Sequence, residues 1–361
     1  MMNFRRKRVV RSTPLYFILY FFLLRYLLAL VCSVSDWFIL GVTIGLCLLH
    51  FVPTVLETGK PRFITRLLSE IYGVWQWFSV MYLIEVIFIY VVKSFIDIPL
   101  NVIYILLAIV PLIGIYGYSH AHDIKVKERI IKFDNLDDDI NIIHVSDVHY
   151  GTLIYKKTLN NLVDKIKSLE DSCDLVVISG DLADGSRIID DDAFLPFKDI
   201  NIPIIFTTGN HDYYPGLDNV YRACQKAGMI ILHNESYQYK NLNLYGLIFS
   251  FTSKQTATEE DLVNAIDSQK LNIIIYHAPY NFDELSHIGF DLQLSGHTHG
   301  GQFHPIVWAG DLLYGYNRGL YSEDFDGKIH YIHVTTGVGV MDYPIRWGTD
   351  SEIVVLKLRK K

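Results

Sequence analysis

The sequence predicts an α/β protein: an N-terminal transmembrane region of four helices, then a layered domain in which strands alternate with helices. Three observations carry this expectation. Half of the 361 residues are hydrophobic, and most of the excess lies before residue 120. Beyond it, short apolar runs alternate with amphipathic segments. Residues able to ligate a metal stand at the ends of those runs, the last of them in "SGHTHGGQ", residues 295–302.

The apolar stretches at roughly 15–34, 37–55, 72–92 and 100–118 each approach the ~20 residues a helix needs to cross a bilayer. Residues 1–120 are therefore expected to be the transmembrane region, and 121–361 a separate domain. Basic residues flank the stretches unevenly. Arg5, Arg6, Lys7, Arg8 and Arg11 precede the first, Lys60, Arg62 and Arg66 separate the second from the third, and Lys125, Lys127, Arg129 and Lys132 follow the fourth. The intervening loops hold only Lys93. Positive charge stays on the cytoplasmic side, and an even number of spans returns the chain there, so the second domain is expected in the cytoplasm at the cell membrane. An export signal built from "RRKR" and the first span is disfavoured, because no small-residue cleavage site is evident and three spans follow. Within the spans, Arg25 and Glu85 are expected to pair, since a lone charge there is costly. Gly41 and Gly45 suggest a close-packing face.

The net charge of −7, with no basic block after residue 132, excludes nucleic acid held by its backbone charge. Cys32, Cys47, Cys173 and Cys224 form no C-x-x-C pair and read as buried thiols rather than disulfides or zinc ligands.

In the second domain, 140–145, 175–179, 202–208, 272–277 and 291–296 read as buried strands. Residues 124–133 suggest a leading edge strand, and "KIHYIHVTT" and "EIVVLKL" late ones. Leu159, Leu162, Val163, Ile166 and Leu169 recur at helical spacing. Thr258 with Asp261 forms a capping box, and Gly228 stops the helix before it.

Each of the five buried strands ends in polar residues: Asp147 and His149; Asp181 and Asp184; Asn210 and His211; His277; His297 and His299. A lone D-x-H or G-N-H is common by chance. Five such ends in succession are not, because loops at the carboxyl ends of strands in an open α/β sheet converge on one crevice. His144, His233 and His304 have no such setting and read as surface or core residues.

The ordered set D-x-H, G-D-x-x-D, G-N-H-D, H and G-H-x-H over residues 140–302 resembles the calcineurin-like metallophosphoesterases. "GDLADG", "GNHDYY", "LSGHTHGGQ" and "PIRWGTDSEIVVL" are similar to a subgroup of bacterial and archaeal phosphoesterases, some membrane-anchored. The resemblance implies a β-sandwich flanked by helices and two divalent metal ions, with Mn, Fe and Zn all compatible with the donors. It implies that Asp147, His149 and His299 hold one metal, that Asn210, His277 and His297 hold the other, and that Asp181 bridges them. His211 would face the substrate as a catalytic residue, with Asp184 fixing its ring. The implied activity is hydrolysis of a phosphodiester, phosphomonoester or pyrophosphate by a two-metal-activated hydroxide.

The protein serine/threonine phosphatases of that superfamily usually follow the second motif with Asp-Arg-Gly. Here Asp184 precedes Gly185 and Ser186, which argues against that class. Arg187, Arg318 and Arg346 are candidates to grip a phosphate. The apolar stretch 303–316 behind the last metal motif suggests a lipid-accessible entrance, and hence a lipid-linked substrate beside the bilayer. The alternative from another class is a membrane receptor or scaffold with a vestigial site.

Overall fold

The computed structural model describes residues 2–56, 62–251 and 256–361. Contacts divide the chain into two compact units, Met1–His120 with Asp342–Trp347, and Ala121–Met341 with Gly348–Lys361.

The first unit contains α1 (Met2–Ala29), α2 (Asp36–Leu56), α3 (Phe63–Lys93) and α4 (Leu100–Ala121). All four are long and apolar enough to cross a membrane. Helix α3 starts about nine residues before its apolar stretch. The Arg62 N–H donates to Thr65 Oγ1 at 3.1 Å, a local bond that sets the helix start among polar residues. Leu23, Val86, Ile89 and Ile103 are buried together, whereas Leu15, Phe22, Phe88 and Leu112 face outward. Lys60 lies outside the described residues.

Three details of this unit differ from expectation. Arg25 pairs with Asp36 at 3.2 Å and not with Glu85, because Asp36 at the start of α2 is within reach of an exposed guanidinium. Gly41 and Gly45 have open space beside them rather than a neighbouring helix. The close approaches fall at Gly73 and Gly117, where an added Cβ would lie 2.7 Å from the Asp342 carbonyl oxygen and from Ile345 Cγ2 respectively. The Arg346 N–H also donates to the Gly117 carbonyl at 3.0 Å, so residues 342–347 pack with the helices. Cys32 is exposed, because it lies in the turn just beyond α1, and the other three cysteines are buried.

The second unit contains β1 (Ile124–Phe133), β2 (Ile140–Val145), α5 (Lys156–Lys167), β3 (Leu175–Ser179), β4 (Ile204–Thr207), α6 (Leu217–Lys226), β5 (Ile230–Ile231), β6 (Glu235–Tyr239) and β7 (Leu242–Leu247). It continues with α7 (Glu259–Asn264), β8 (Leu271–Tyr276), α8 (Phe282–Ile288), β9 (Leu292–Ser295), α9 (Ile306–Leu313), β10 (Gly319–Phe325), β11 (Lys328–Val334) and β12 (Ser351–Lys360). They form two six-stranded sheets, ordered β1-β12-β2-β3-β4-β5 and β10-β11-β9-β8-β7-β6.

Period-2 alternation explains the layering. Ile142, Leu175 and Val177 point inward and meet Leu244, Ile273 and Leu292 of the other sheet. Ile143, Val176 and Ile178 point outward, where Leu162 and Ile166 of α5 and Val220 of α6 cover them. On the far side, Tyr245 and Ile274 are covered by Leu262 of α7 and Leu285 of α8. The result is a β-sandwich flanked by helices. Strands β2, β3 and β4 run parallel, as do β7, β8, β9 and β11, so their carboxyl ends gather at one edge.

Candidate metal centre

Strand β2 ends at Val145, and the chain turns at once through Asp147 and His149, both at φ 52°. Asp181 (φ 53°) follows β3, and His297 (φ 72°) and His299 (φ 50°) follow β9. A left-handed backbone at a non-glycine residue costs on the order of 1–3 kcal/mol and persists only where its surroundings over-determine it. Here the surroundings are hydrogen bonds between the loops. The Asp147 N–H donates to the Gly180 carbonyl at 3.0 Å, the His149 N–H to the Asp181 carbonyl at 3.0 Å, and the His297 N–H to Asp147 Oδ2 at 3.0 Å. Gly337 closes the cradle at φ 78°: an added Cβ would stand 2.6 Å from Asp147 Cβ.

These turns bring the side chains together. Asp147, His149 and His299 have ligand atoms within 4.8 Å of one another, as do Asp181, His277 and His297. A third group of the same tightness is His149, Asp181 and His211, so Asp181 stands between the other two clusters. His299 Nε2 is 3.4 Å from Asp147 Oδ1, and His277 Nε2 is 3.1 Å from Asp181 Oδ2. His149 Nε2 and His299 Nε2 lie 3.0 Å apart. The clusters can hold divalent cations, and the donor chemistry fits them. Asp147 Oδ1, Asn210 Oδ1 and His277 Nε2 are buried with no hydrogen-bond partner. Leaving such atoms unsatisfied costs roughly 1–3 kcal/mol each, more for charged groups.

Neighbouring groups orient the donors. His277 Nδ1 lies 2.8 Å from the Ser179 carbonyl, which can only accept, so Nδ1 carries a proton and Nε2 is the ring atom turned to the cluster. The Asp212 carboxylate accepts from the N–H groups of Asp181, Ala183 and Gly209, each at 2.9 Å. Asp212 is the last residue of G-N-H-D, and its role as the clamp between two ligand loops was legible only as part of that motif. Burial, then the Asp181 charge, pushes its carboxyl up to about 7. Beneath the site, His144 Nδ1 meets His333 Nδ1 at 2.8 Å, and His144 Nε2 meets Ser179 Oγ at 2.8 Å. Burial holds both imidazoles neutral, His333 at about 3. This polar pair is a sequence-invisible part of the site, because its partners are 189 residues apart.

Burial opposes charge throughout the centre, yet the buried carboxylates overcome it. Asp181 and Asp147 raise His277 to about 9, and the neighbouring His299 and His277 hold Asp147 well below the usual carboxylate range. His297 is pushed down to about 4 by burial and by His277.

His211 places Nδ1 2.9 Å from the backbone carbonyl of Asp184, not from its carboxylate. The Asp184 carboxylate instead accepts from the N–H groups of Thr152 and Ser186. The three arginines have partners of their own. Arg187 lies 5.3 Å from the ring centroids of Tyr150 and Tyr155 and pairs with Asp190. Arg318 holds both oxygens of Asp311, and Arg346 belongs to the helical unit.

Residues 140–301 match the family described as calcineurin-like phosphoesterase. An uncharacterized metallophosphoesterase of Helicobacter pylori (strain J99) is 33% identical over 244 residues, 66% of this chain and 64% of that protein. One from Aquifex aeolicus is 27% identical over 261 residues, 69% of this chain and 97% of that protein. A Danio rerio protein named transmembrane protein with metallophosphoesterase domain is 26% identical over 276 residues, 70% of this chain and 62% of that protein. The match thus spans less than two thirds of the Helicobacter and Danio relatives' length.

Proposed function

We propose that this chain, whose residues 140–301 match the calcineurin-like phosphoesterase family, is a membrane-anchored, metal-dependent hydrolase of phosphoric esters. Residues 1–120 are the membrane region and 121–361 the catalytic domain. Asp147, His149 and His299 would hold one divalent cation and Asn210, His277 and His297 a second, with Asp181 placed to serve both. The observation that carries this reading is a set of ligand atoms turned on one another: Asp147 Oδ1, Asn210 Oδ1 and His277 Nε2 are buried at the strand ends with no hydrogen-bond partner, and His277 Nε2 faces Asp181 Oδ2 at 3.1 Å.

Bound cations of this kind neutralise phosphoryl oxygens and acidify a water. The chain supplies the rest. The loops hold the donors rigidly, and Ser179 and Asp212 keep the His277 and Asp181 loops in place. His211, with its Nδ1–H directed to the Asp184 carbonyl, would give a second proton, carried on Nε2, to the departing oxygen and regain one from the attacking water. In the hydrolysis, the water oxygen bonds to phosphorus and the ester P–O bond breaks. The proton released by water is balanced by the one the leaving oxygen gains.

The basic residues flanking the spans favour a cytoplasmic catalytic domain in the cell membrane. The apolar chain around residues 303–316, together with the four apolar helices, favours a lipid-linked diester or pyrophosphate. The test is hydrolysis of bis-p-nitrophenyl phosphate by the full chain with Mn²⁺, Fe²⁺ or Zn²⁺, beside metal analysis. Wild type is expected to bind two ions and turn over. Asp181→Asn is expected to lose at least about a hundredfold in rate, the upper range for weaker second-sphere changes. Wild type that binds no ion and cleaves no ester would overturn the reading.

A further inference from the structure

Helix α9 begins five residues after Gly301 and presents Trp308 (65% exposed), Leu312 (86%) and Leu313 (78%) to the outside. A short helix of a soluble domain normally hides such residues, and a contiguous exposed apolar face marks a binding surface. Its one outward charge, Asp311, is neutralised by both guanidinium nitrogens of Arg318, at 2.5 and 3.0 Å.

The helix is tied to the metal centre at both ends. At its start, an added Cβ on Gly301 would lie 2.6 Å from the Ile306 carbonyl oxygen and from Val307 Cα, so the helix backbone rests directly on the loop that carries His299. At its end, Tyr314 stacks on Tyr280 with ring centroids 6.3 Å apart and planes at 17°. Both rings flank His297, at 6.4 and 6.3 Å. Two stacked tyrosine rings therefore lead from His297 to the end of α9, next in the chain to the exposed Leu312 and Leu313. No uncommitted cation stands among these residues, which disfavours a second phosphate or a nucleotide and favours hydrocarbon.

We propose that α9 and the Tyr280–Tyr314 pair form a subsite for the hydrocarbon chain of the alcohol esterified to the phosphate. The proposal rests on the phosphoesterase reading and adds to it the residues that take up the hydrocarbon part of the substrate. Each methylene that leaves water along this surface adds to transition-state binding, so the rate is expected to climb with chain length until the surface is covered.

The experiment compares butyl, octyl and hexadecyl p-nitrophenyl phosphates with full-length protein in one detergent. Binding of the matching alkylphosphonates is followed by calorimetry. Wild type is expected to gain at least about tenfold in kcat/KM, and in phosphonate affinity, from butyl to octyl. Leu312→Ser with Leu313→Ser should shrink that gain to about twofold while retaining its bound metal, which reports an intact fold. Val263→Ser, an exposed apolar residue elsewhere, should keep the full gain and so exclude a detergent effect. A chain-length series that is flat in wild type, or unchanged in the double variant, overturns the subsite. The two readings fail separately. Chain-length-dependent phosphonate binding without ester cleavage supports the subsite and counts against the hydrolase.

Discussion

Asp147, His149, Asp181, His297 and His299 hold the left-handed backbone that side chains normally avoid, and the same five residues supply much of the proposed metal set. Hydrogen bonds from one ligand loop to the next hold them there, so each donor depends on the others being in place. Protons compete with cations for these donors. Asp181 and Asp147 raise His277 to about 9 against the opposing effect of burial, so below that pH the free site carries a proton that a cation must displace. Metal affinity is therefore expected to rise as pH climbs from 6 towards about 9 and then to level. Isothermal titration with Mn²⁺ across that range should show proton release at neutral pH. A flat profile would mean that His277 does not ligate.

Elements position these residues by where they stop. Strands β2, β3, β8 and β9 end one to four residues before a proposed ligand, and their parallel run points every stop to the same edge. Helices act from outside by covering the outward faces. Helix α7 illustrates a purely local device: the Thr258 N–H donates to Asp261 Oδ2 at 2.9 Å, and the Asp261 N–H donates back to Thr258 Oγ1 at 3.1 Å. Thr258→Ala is expected to lower stability by about 1 kcal/mol, seen as a lower Tm, with turnover unchanged. Thr258→Ser should restore it. Helix α9 does the opposite of α7, since it leaves its apolar side open.

For the whole molecule, the charge asymmetry around the spans sets the expected sidedness. A C-terminal tag should be cut by added protease in inverted membrane vesicles and protected in intact spheroplasts. Cutting in spheroplasts would place the catalytic domain outside. Residues 342–347 complicate any view of the helices as a detachable anchor. They come late in the chain, yet they pack with α3 and α4 at Gly73 and Gly117. The residues just before them border Asp147, through the Gly339 N–H to the Asp147 carbonyl at 2.7 Å.

Sequence by itself determined the four apolar helices, the central strands and the polar residues at their ends, because periodicity, hydropathy and capping are local properties. It also made the α7 cap and the Gly228 stop legible. Several features needed the folded chain. Strands β6 and β10 carry mixed polar faces with no clear period. The partner of Arg25, the Asp212 clamp, the His144–His333 pair and the return of residues 342–347 to the helices are matters of proximity in space. Spacing along a chain shows which groups are available, but distances such as the 3.1 Å between His277 and Asp181 exist only after two sheets have packed.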